Sequence, residues 1–251
     1  MKDLLALCCL LVVTTATLCA RGHDSTFCDG RDVILAMEAR YAGQWYPAVR
    51  IKQRVAYFED GAETRDEVWT EMLQIPGRVR STIGDPDSGN CEIARNDSVF
   101  LFRRGNLIES RRAVHGILLL GFDVYRQDPT KTFAQLREAG YDLDLVHESL
   151  WKGKPAYVVG AEAGDDSSSQ FWIEKERLVL VRLLTKGART GRRFEVELDD
   201  FKPLAGGWIA TELRFLNGGL PRIIETYLEF GVPVAVPPRT FDTAPFTVVR
   251  F

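Results

Sequence analysis

From position 49 the chain alternates. Val49, Ile51, Val55 and Tyr57 are apolar, with Arg50, Lys52 and Arg54 between them, which is the period of a strand with one face buried and one face wet. Asp60-Gly61 supplies a turn, a second strand is predicted at 65–75, and Pro76-Gly77 separates it from a third at 78–83. Residues 84–90 form a polar stretch rich in Gly, Asp and Pro, read as a turn region, and shorter strands follow at 98–102 and 107–110 around Gly105-Asn106. The period then changes. Residues 113–125 carry Ile117, Leu118, Leu119, Leu120 and Phe122 with little polar interruption, which predicts a helix buried on most sides or facing an apolar ligand. Asp128-Pro129 provides an N-cap and a first-turn proline, and Gly140 a stop, for a helix at 129–139. Strand patterns return at 142–150, 155–161, 169–173, 177–184, 192–198, 208–216 and 222–230. Upstream of them all, Val33, Ile34, Met37 and Tyr41 make one apolar stripe on a helix at 32–41, ended by Gly43.

Connections this short favour antiparallel neighbours. About 11 strands following one another make a sheet large enough to curl or close. The expected fold is therefore mainly β, of the α+β class: a single large curved antiparallel sheet forming an incomplete barrel, plugged by the N-terminal helix and the helical insert at 113–139. No linker divides the chain, so one domain over 23–251 is expected.

Composition narrows the function. Of the 251 residues 45% are hydrophobic, and 32 basic side chains face 35 acidic ones, which excludes a disordered chain or a fibre and leaves no basic excess for a nucleic acid. Lys2 precedes an uncharged run from Leu4 to Leu18, the length of a signal-peptide core and too short to span a bilayer. Residues 1–22 are read as a signal removed after Gly22, giving an exported, soluble protein. Lipidation at Cys19 is disfavoured by Leu18 and Ala16 at the preceding positions. Cys8, Cys9 and Cys19 would leave with the signal, so Cys28 and Cys91 remain as one possible disulfide, the alternative being two separate thiols. The bond would close a loop of about 63 residues and stabilise by roughly 3 to 4 kcal/mol. No CxxC, Cys/His cluster or HExxH is present, and neither a metal nor a cofactor is expected.

Four stretches carry a family likeness: Val68-Trp69 leading to Pro76-Gly77-Arg78-Val79-Arg80; Lys152-Gly153-Lys154-Pro155-Ala156-Tyr157; Gln170-Phe171-Trp172-Ile173 with Glu174-Lys175-Glu176-Arg177-Leu178; and Pro237-Pro238-Arg239-Thr240-Phe241. In this order, over residues 30–245, the chain resembles the LolA/LolB superfamily of periplasmic lipoprotein carriers, and more closely its outer membrane lipoprotein-sorting branch. The resemblance implies an incomplete barrel whose apolar cavity shields acyl chains on their way to the outer membrane. It also implies an inner-membrane transporter or an outer-membrane receptor as partner, and no enzymatic activity. Shielding a chain takes apolar area, about 0.8 kcal/mol per methylene, and no reactive group. The candidate lining is Val49, Ile51, Val55, Tyr57, Trp69, Leu73, Val79, Phe100 and Phe102 from the strands, with Leu118, Leu119 and Phe122 from the insert. In the family's carrier an Arg precedes the Pro after the Trp-containing strand and helps hold the lid closed; Ile75 stands there instead.

Chemical alternatives are weaker. His115 and His147 have no neighbouring Cys or nucleophile elbow in the sequence and read as structural. Glu162 with Asp165-Asp166 lacks the spacing of a calcium loop. Asp142, Asp144 and Glu148 alternate along an expected strand, where a wet face explains them better than a glycosidase carboxylate pair. The basic strip of Arg50, Lys52 and Arg54 with Arg103, Arg104, Arg111 and Arg112 reads as a solvated outer face, and Asn96-Asp97-Ser98 matches a glycosylation acceptor by its pattern alone. The rival to a carrier is an envelope interaction module whose sheet is packed shut and whose surface recruits a membrane partner.

Overall fold

A computed structural model of the protein describes residues 27–186, 193–244 and 246–251. The expected signal at 1–22, its cleavage after Gly22, and Cys19 lie outside the described residues, as does most of the connection between the strands expected at 177–184 and 192–198.

Two antiparallel meanders build one sheet. The first contains β1 (Ala48–Glu59), β2 (Ala62–Gln74), β3 (Arg78–Ile83), β4 (Cys91–Arg95), β5 (Ser98–Arg103) and β6 (Asn106–Arg112). The second contains β7 (Val146–Trp151), β8 (Lys154–Val159), β9 (Gln170–Glu174), β10 (Val179–Lys186), β11 (Arg193–Leu204), β12 (Gly207–Asn217) and β13 (Leu220–Gly231). β1 pairs antiparallel with β13, Val55 lying opposite Glu225, and this fuses the meanders into one 13-stranded sheet ordered β6-β5-β4-β3-β2-β1-β13-β12-β11-β10-β9-β8-β7. The sheet does not close, because β6 and β7 are its two ends.

The expectation of an open, curved antiparallel sheet with helical plugs therefore holds, with three differences. β4 was hidden at the end of a polar turn region: only Cys91, Ile93 and Ala94 are apolar in it, too few to display a period. The single helix expected at 113–125 is instead α2 (Gly116–Gly121) and a 3-10 turn at Asp123–Tyr125, parted at Phe122, whose φ of −140° leaves the helical region. The strand expected from 142 begins at Val146, because Asp142 accepts a hydrogen bond from Asp144 N at 2.9 Å and holds the preceding residues in a turn.

α1 (Gly30–Tyr41) starts where it does because Asp29 caps it, accepting from Arg31 N at 2.8 Å and Asp32 N at 3.2 Å. Its Gly30 is required by packing: a Cβ there would stand 2.3 Å from Val159 Cγ1, while Gly30 N donates to Leu143 O at 2.8 Å. α3 (Pro129–Glu138) is capped by Asp128, which accepts from Thr130 N. The helices pack on one face of the sheet, here the inner face. Their core includes Ile34, Met37, Leu119 and Leu136 with the sheet's Val49, Ile51, Val159, Phe171 and Val181. Trp45, in the loop after α1, stacks on Tyr125 with ring centroids 3.7 Å apart, and Tyr125 Oη donates to Leu178 O at 3.0 Å.

The outer face has a cover of its own. The C-terminal residues lie over β2 to β5, with Phe241 and Phe246 packed on Met72, Cys91, Ile93 and Phe102. Arg80, almost fully buried, donates from its guanidinium to Thr240 O at 3.1 Å and Thr247 O at 2.9 Å, and Arg95 donates to Phe241 O at 2.9 Å. This arrangement overturns the expected Cys28–Cys91 disulfide: Cys91 is a buried free thiol. Strand alternation points it to the outer face, whereas Cys28 stands just ahead of α1 on the inner one.

Candidate functional site

Between the inner face and α2 lies a cavity of about 490 Å³, within the range that holds a small apolar ligand. The sheet supplies its floor through residues of one parity. Trp69, Glu71 and Leu73 come from β2, Val79 and Ser81 from β3, Glu92 from β4, Leu213 and Phe215 from β12, and Ile223, Glu225 and Tyr227 from β13. α2 closes it from above with Ile117 and Leu118, and Phe122 follows. Arg193, Asn217 and Arg222 complete the wall at the β12–β13 turn end. A second cavity, of about 420 Å³, adjoins the first across His115, Ile117, Phe194 and Phe215.

Of the twelve residues put forward as lining, the structure brings together Trp69, Leu73, Val79, Leu118 and Phe122. Val49, Ile51 and Leu119 are packed core beneath the helices, and Val55 is buried outside the cavity wall. Tyr57 hydrogen-bonds Glu67 Oε1 at 2.6 Å near the far end of β1; burial first, and then that carboxylate, push its phenol up to about 12. Phe100 and Phe102 are on the wrong face. They belong to the outer cluster under the C-terminal tail, because β5 turns Val99, and not its neighbours, toward the helices.

The contribution of β12 and β13 escaped the sequence reading, since it depends on the pairing of β1 with β13. The apolar alternation Leu213, Phe215 and Ile223, Tyr227 was visible, but nothing local says that these residues share a wall with Trp69.

The polar part of the wall was also missed. Glu71 accepts from Ser81 Oγ at 2.5 Å. Burial pushes its carboxyl up to about 7, the charge of Glu92 acting in the same direction and the Ser81 hydrogen bond against it. Burial likewise raises Glu225 well above the usual carboxylate range, reinforced by Glu71 and Glu92. His115 accepts from Leu118 N at 3.2 Å and thereby caps α2, and burial lowers its imidazole, so it is a neutral cap.

The insert is held down without an arginine at position 75. Ile75 is buried in the inner core. Its place as a tether is taken by Asp123, whose Oδ1 accepts from Gly77 N at 2.9 Å, and by Arg126, which donates to Trp45 O.

The other candidates separate. His147 Nδ1 is 3.1 Å from Ala161 O. Asp165 caps its own loop, accepting from Ser167 N and Ser168 Oγ. Asp144 pairs with Arg31 at 2.6 Å and Glu148 with Lys175 at 2.7 Å, so the three acidic residues expected on one strand are spread over a turn and a strand. Most of the basic strip is neutralised: Lys52 by Glu229, Arg54 by Asp66, Arg111 by Glu109 and Arg112 by Glu138.

Comparison with solved structures identifies this architecture. A domain from Vibrio parahaemolyticus named for outer membrane lipoprotein sorting is 11% identical with a TM-score of 0.54, the match covering 85% of this chain and 96% of that one. The chain shares the LolA-superfamily fold. A LolA superfamily protein from Nitrosomonas europaea is 13% identical with a TM-score of 0.53, covering 86% of this chain and 98% of that one. A DUF1329 family protein from Desulfovibrio piger is 12% identical with a TM-score of 0.57, covering 87% and 98%. No family model matches the sequence, and no curated protein does. Among the described residues no helix is long and apolar enough to cross a membrane.

Proposed function

We propose that the protein is a non-catalytic periplasmic carrier that takes an acyl chain or a similar apolar ligand into the cavity beneath α2. The supporting observation is the cavity itself: a space of about 490 Å³ walled by Trp69, Leu73, Val79, Leu118, Leu213 and Phe215, with a second of about 420 Å³ adjoining it. Water in such a space makes few hydrogen bonds, so a methylene chain entering it gains about 0.8 kcal/mol for each carbon removed from solvent. The LolA-superfamily fold supports the same reading, and would make the cargo the acyl chains of lipoproteins.

The test is native mass spectrometry with lipid extraction on protein purified from its own envelope, together with titration of an uncharged, polarity-sensitive fluorescent probe. The expected result is a co-purifying acyl ligand, and saturable probe uptake near one equivalent that Leu118→Trp abolishes by filling the cavity. A folded protein that carries no lipid and takes up no probe would refute the reading and favour the interaction module.

A further inference from the structure

The floor of the cavity is not uniformly apolar, and its polar groups form a row across neighbouring strands. Glu92 on β4 lies opposite Ser81 on β3, and Ser81 opposite Glu71 on β2. One step along, Trp69 on β2 lies opposite Gln53 on β1, and Gln53 opposite Tyr227 on β13, with Glu225 the next inward residue of β13. Paired residues of an antiparallel sheet share a face, so all of these side chains leave the sheet on the inner side. The β1–β13 register slips between Lys52 and Gln53, a bulge of the kind that re-aims a side chain beside a site.

Two features make this row unlike a satisfied structural network. First, Gln53 has no exposed surface, and its amide makes no hydrogen bond of good geometry although the Glu225 carboxyl is within its reach; the indole N–H of Trp69, in the cavity wall and near Glu67, is likewise buried without a well-formed bond. Buried polar groups are nearly always paired, and leaving them unpaired is costly. Second, among the described residues no Lys or Arg forms an ion pair with Glu71, Glu92 or Glu225, and these carboxyls do not converge as a set that could hold a metal ion. The basic groups of the wall, Arg193 and Arg222, belong to its β12–β13 end.

We propose, building on the carrier reading, that the row of Glu71, Ser81 and Glu225, with Gln53 buried behind it, receives the polar end of the ligand, and selects an apolar chain whose head donates hydrogen bonds and carries no negative charge. An ammonium or hydroxyl head gives the Glu71 and Glu225 carboxyl oxygens a donor, and an ammonium also supplies the countercharge that lets them ionise. A carboxylate head brings a like charge beside Glu71 and Glu225 in a low-dielectric wall and opposes their ionisation.

The experiment is competition of dodecylamine, dodecanol and dodecanoate against the uncharged probe at neutral pH, on the full mature chain. One chain length holds the apolar contribution constant, so differences report the head. The amine and the alcohol are expected to bind about tenfold or more tightly than the carboxylate, with Glu71→Gln and Glu225→Gln each reducing the amine's advantage over the carboxylate severalfold. The alcohol separates the two sources of selectivity: an advantage shared with the amine reports hydrogen bonding, and a further gain by the amine reports charge. Equal binding of all three, or tighter binding of the carboxylate, would overturn the proposal while leaving the carrier reading intact. Failure of all three to compete would overturn both. Should either Glu variant fail to fold, the wild-type ranking decides the matter alone.

Discussion

Asp123 permits a quantitative test of how the insert is held over the cavity. It is 3% exposed, and its carboxyl accepts a hydrogen bond from Gly77 N at the β2–β3 turn. Burial pushes its carboxyl up to about 7, the Gly77 N–H and the charge of Lys131 acting against that rise. In the unfolded chain the group ionises near 3.9. The folded protein therefore holds a proton that the unfolded chain releases between these values. The stabilisation is complete below about pH 4, is lost as pH rises through about 7, and is level above that. A shift of about 3 units corresponds to about 4 kcal/mol over the whole window, of which roughly 2 to 3 kcal/mol falls between pH 5 and 8. Asp123→Asn keeps an acceptor for Gly77 N and cannot ionise. The variant is expected to gain on the wild type by roughly 2 to 3 kcal/mol between pH 5 and 8, whatever constant offset its amide introduces. Glu71 and Glu225 titrate in the same sense in the wild type, which is why the difference between the two proteins is the quantity to measure. Urea unfolding followed by tryptophan fluorescence at the two pH values provides it, Trp45 being stacked on Tyr125, the last residue of the 3-10 turn that carries Asp123. A difference that does not change with pH, or that changes in favour of the wild type, would refute the reasoning and show that Asp123 is ionised throughout.

Two further substitutions test the packing on either side of the sheet. Arg80→Ala removes both guanidinium bonds to the tail carbonyls of Thr240 and Thr247 and should cost about 2 kcal/mol, with proteolytic cleavage of residues 236–251 preceding global unfolding; a tail as resistant as the wild type's would contradict its role as the clasp. Asp29→Ala removes the cap of α1 and should cost about 1 kcal/mol by thermal unfolding without changing probe affinity, whereas a loss of affinity would mean that α1 positions the cavity more directly than its packing indicates.

The elements most legible in the sequence were those whose burial is two-sided and regular. β1 shows its alternation because its inner residues meet the helices while Arg50, Lys52 and Arg54 meet solvent and acidic partners. α3 shows its ends because Asp128, Pro129 and Gly140 act locally, within a few residues of the helix they delimit. What failed was everything that depended on a second cover or a distant partner. Phe100 and Phe102 were read as cavity wall because large apolar side chains on a strand point to a core, and alternation does not say which of two cores: here the C-terminal tail makes the outer face apolar as well. Cys91 was misjudged for the same reason, its neighbours being Met72, Ile93 and Phe241 and not α1.

The polar row shows the limit more sharply. Gln53, Glu71 and Glu225 each break the apolar pattern on the inner side of their own strands, and taken one strand at a time such a residue reads as a position facing water. Their meaning comes from register: three strands, two of them joined only by the β1–β13 pairing, set the same irregularity side by side. A single polar residue on an inner face is a local cost that a water molecule can relieve. Several aligned beneath an apolar roof, with Gln53 and Trp69 poorly paired beside them, leave one end of the cavity chemically different from the rest, and it is that asymmetry, more than the cavity's volume, that would let the protein tell one amphiphile from another.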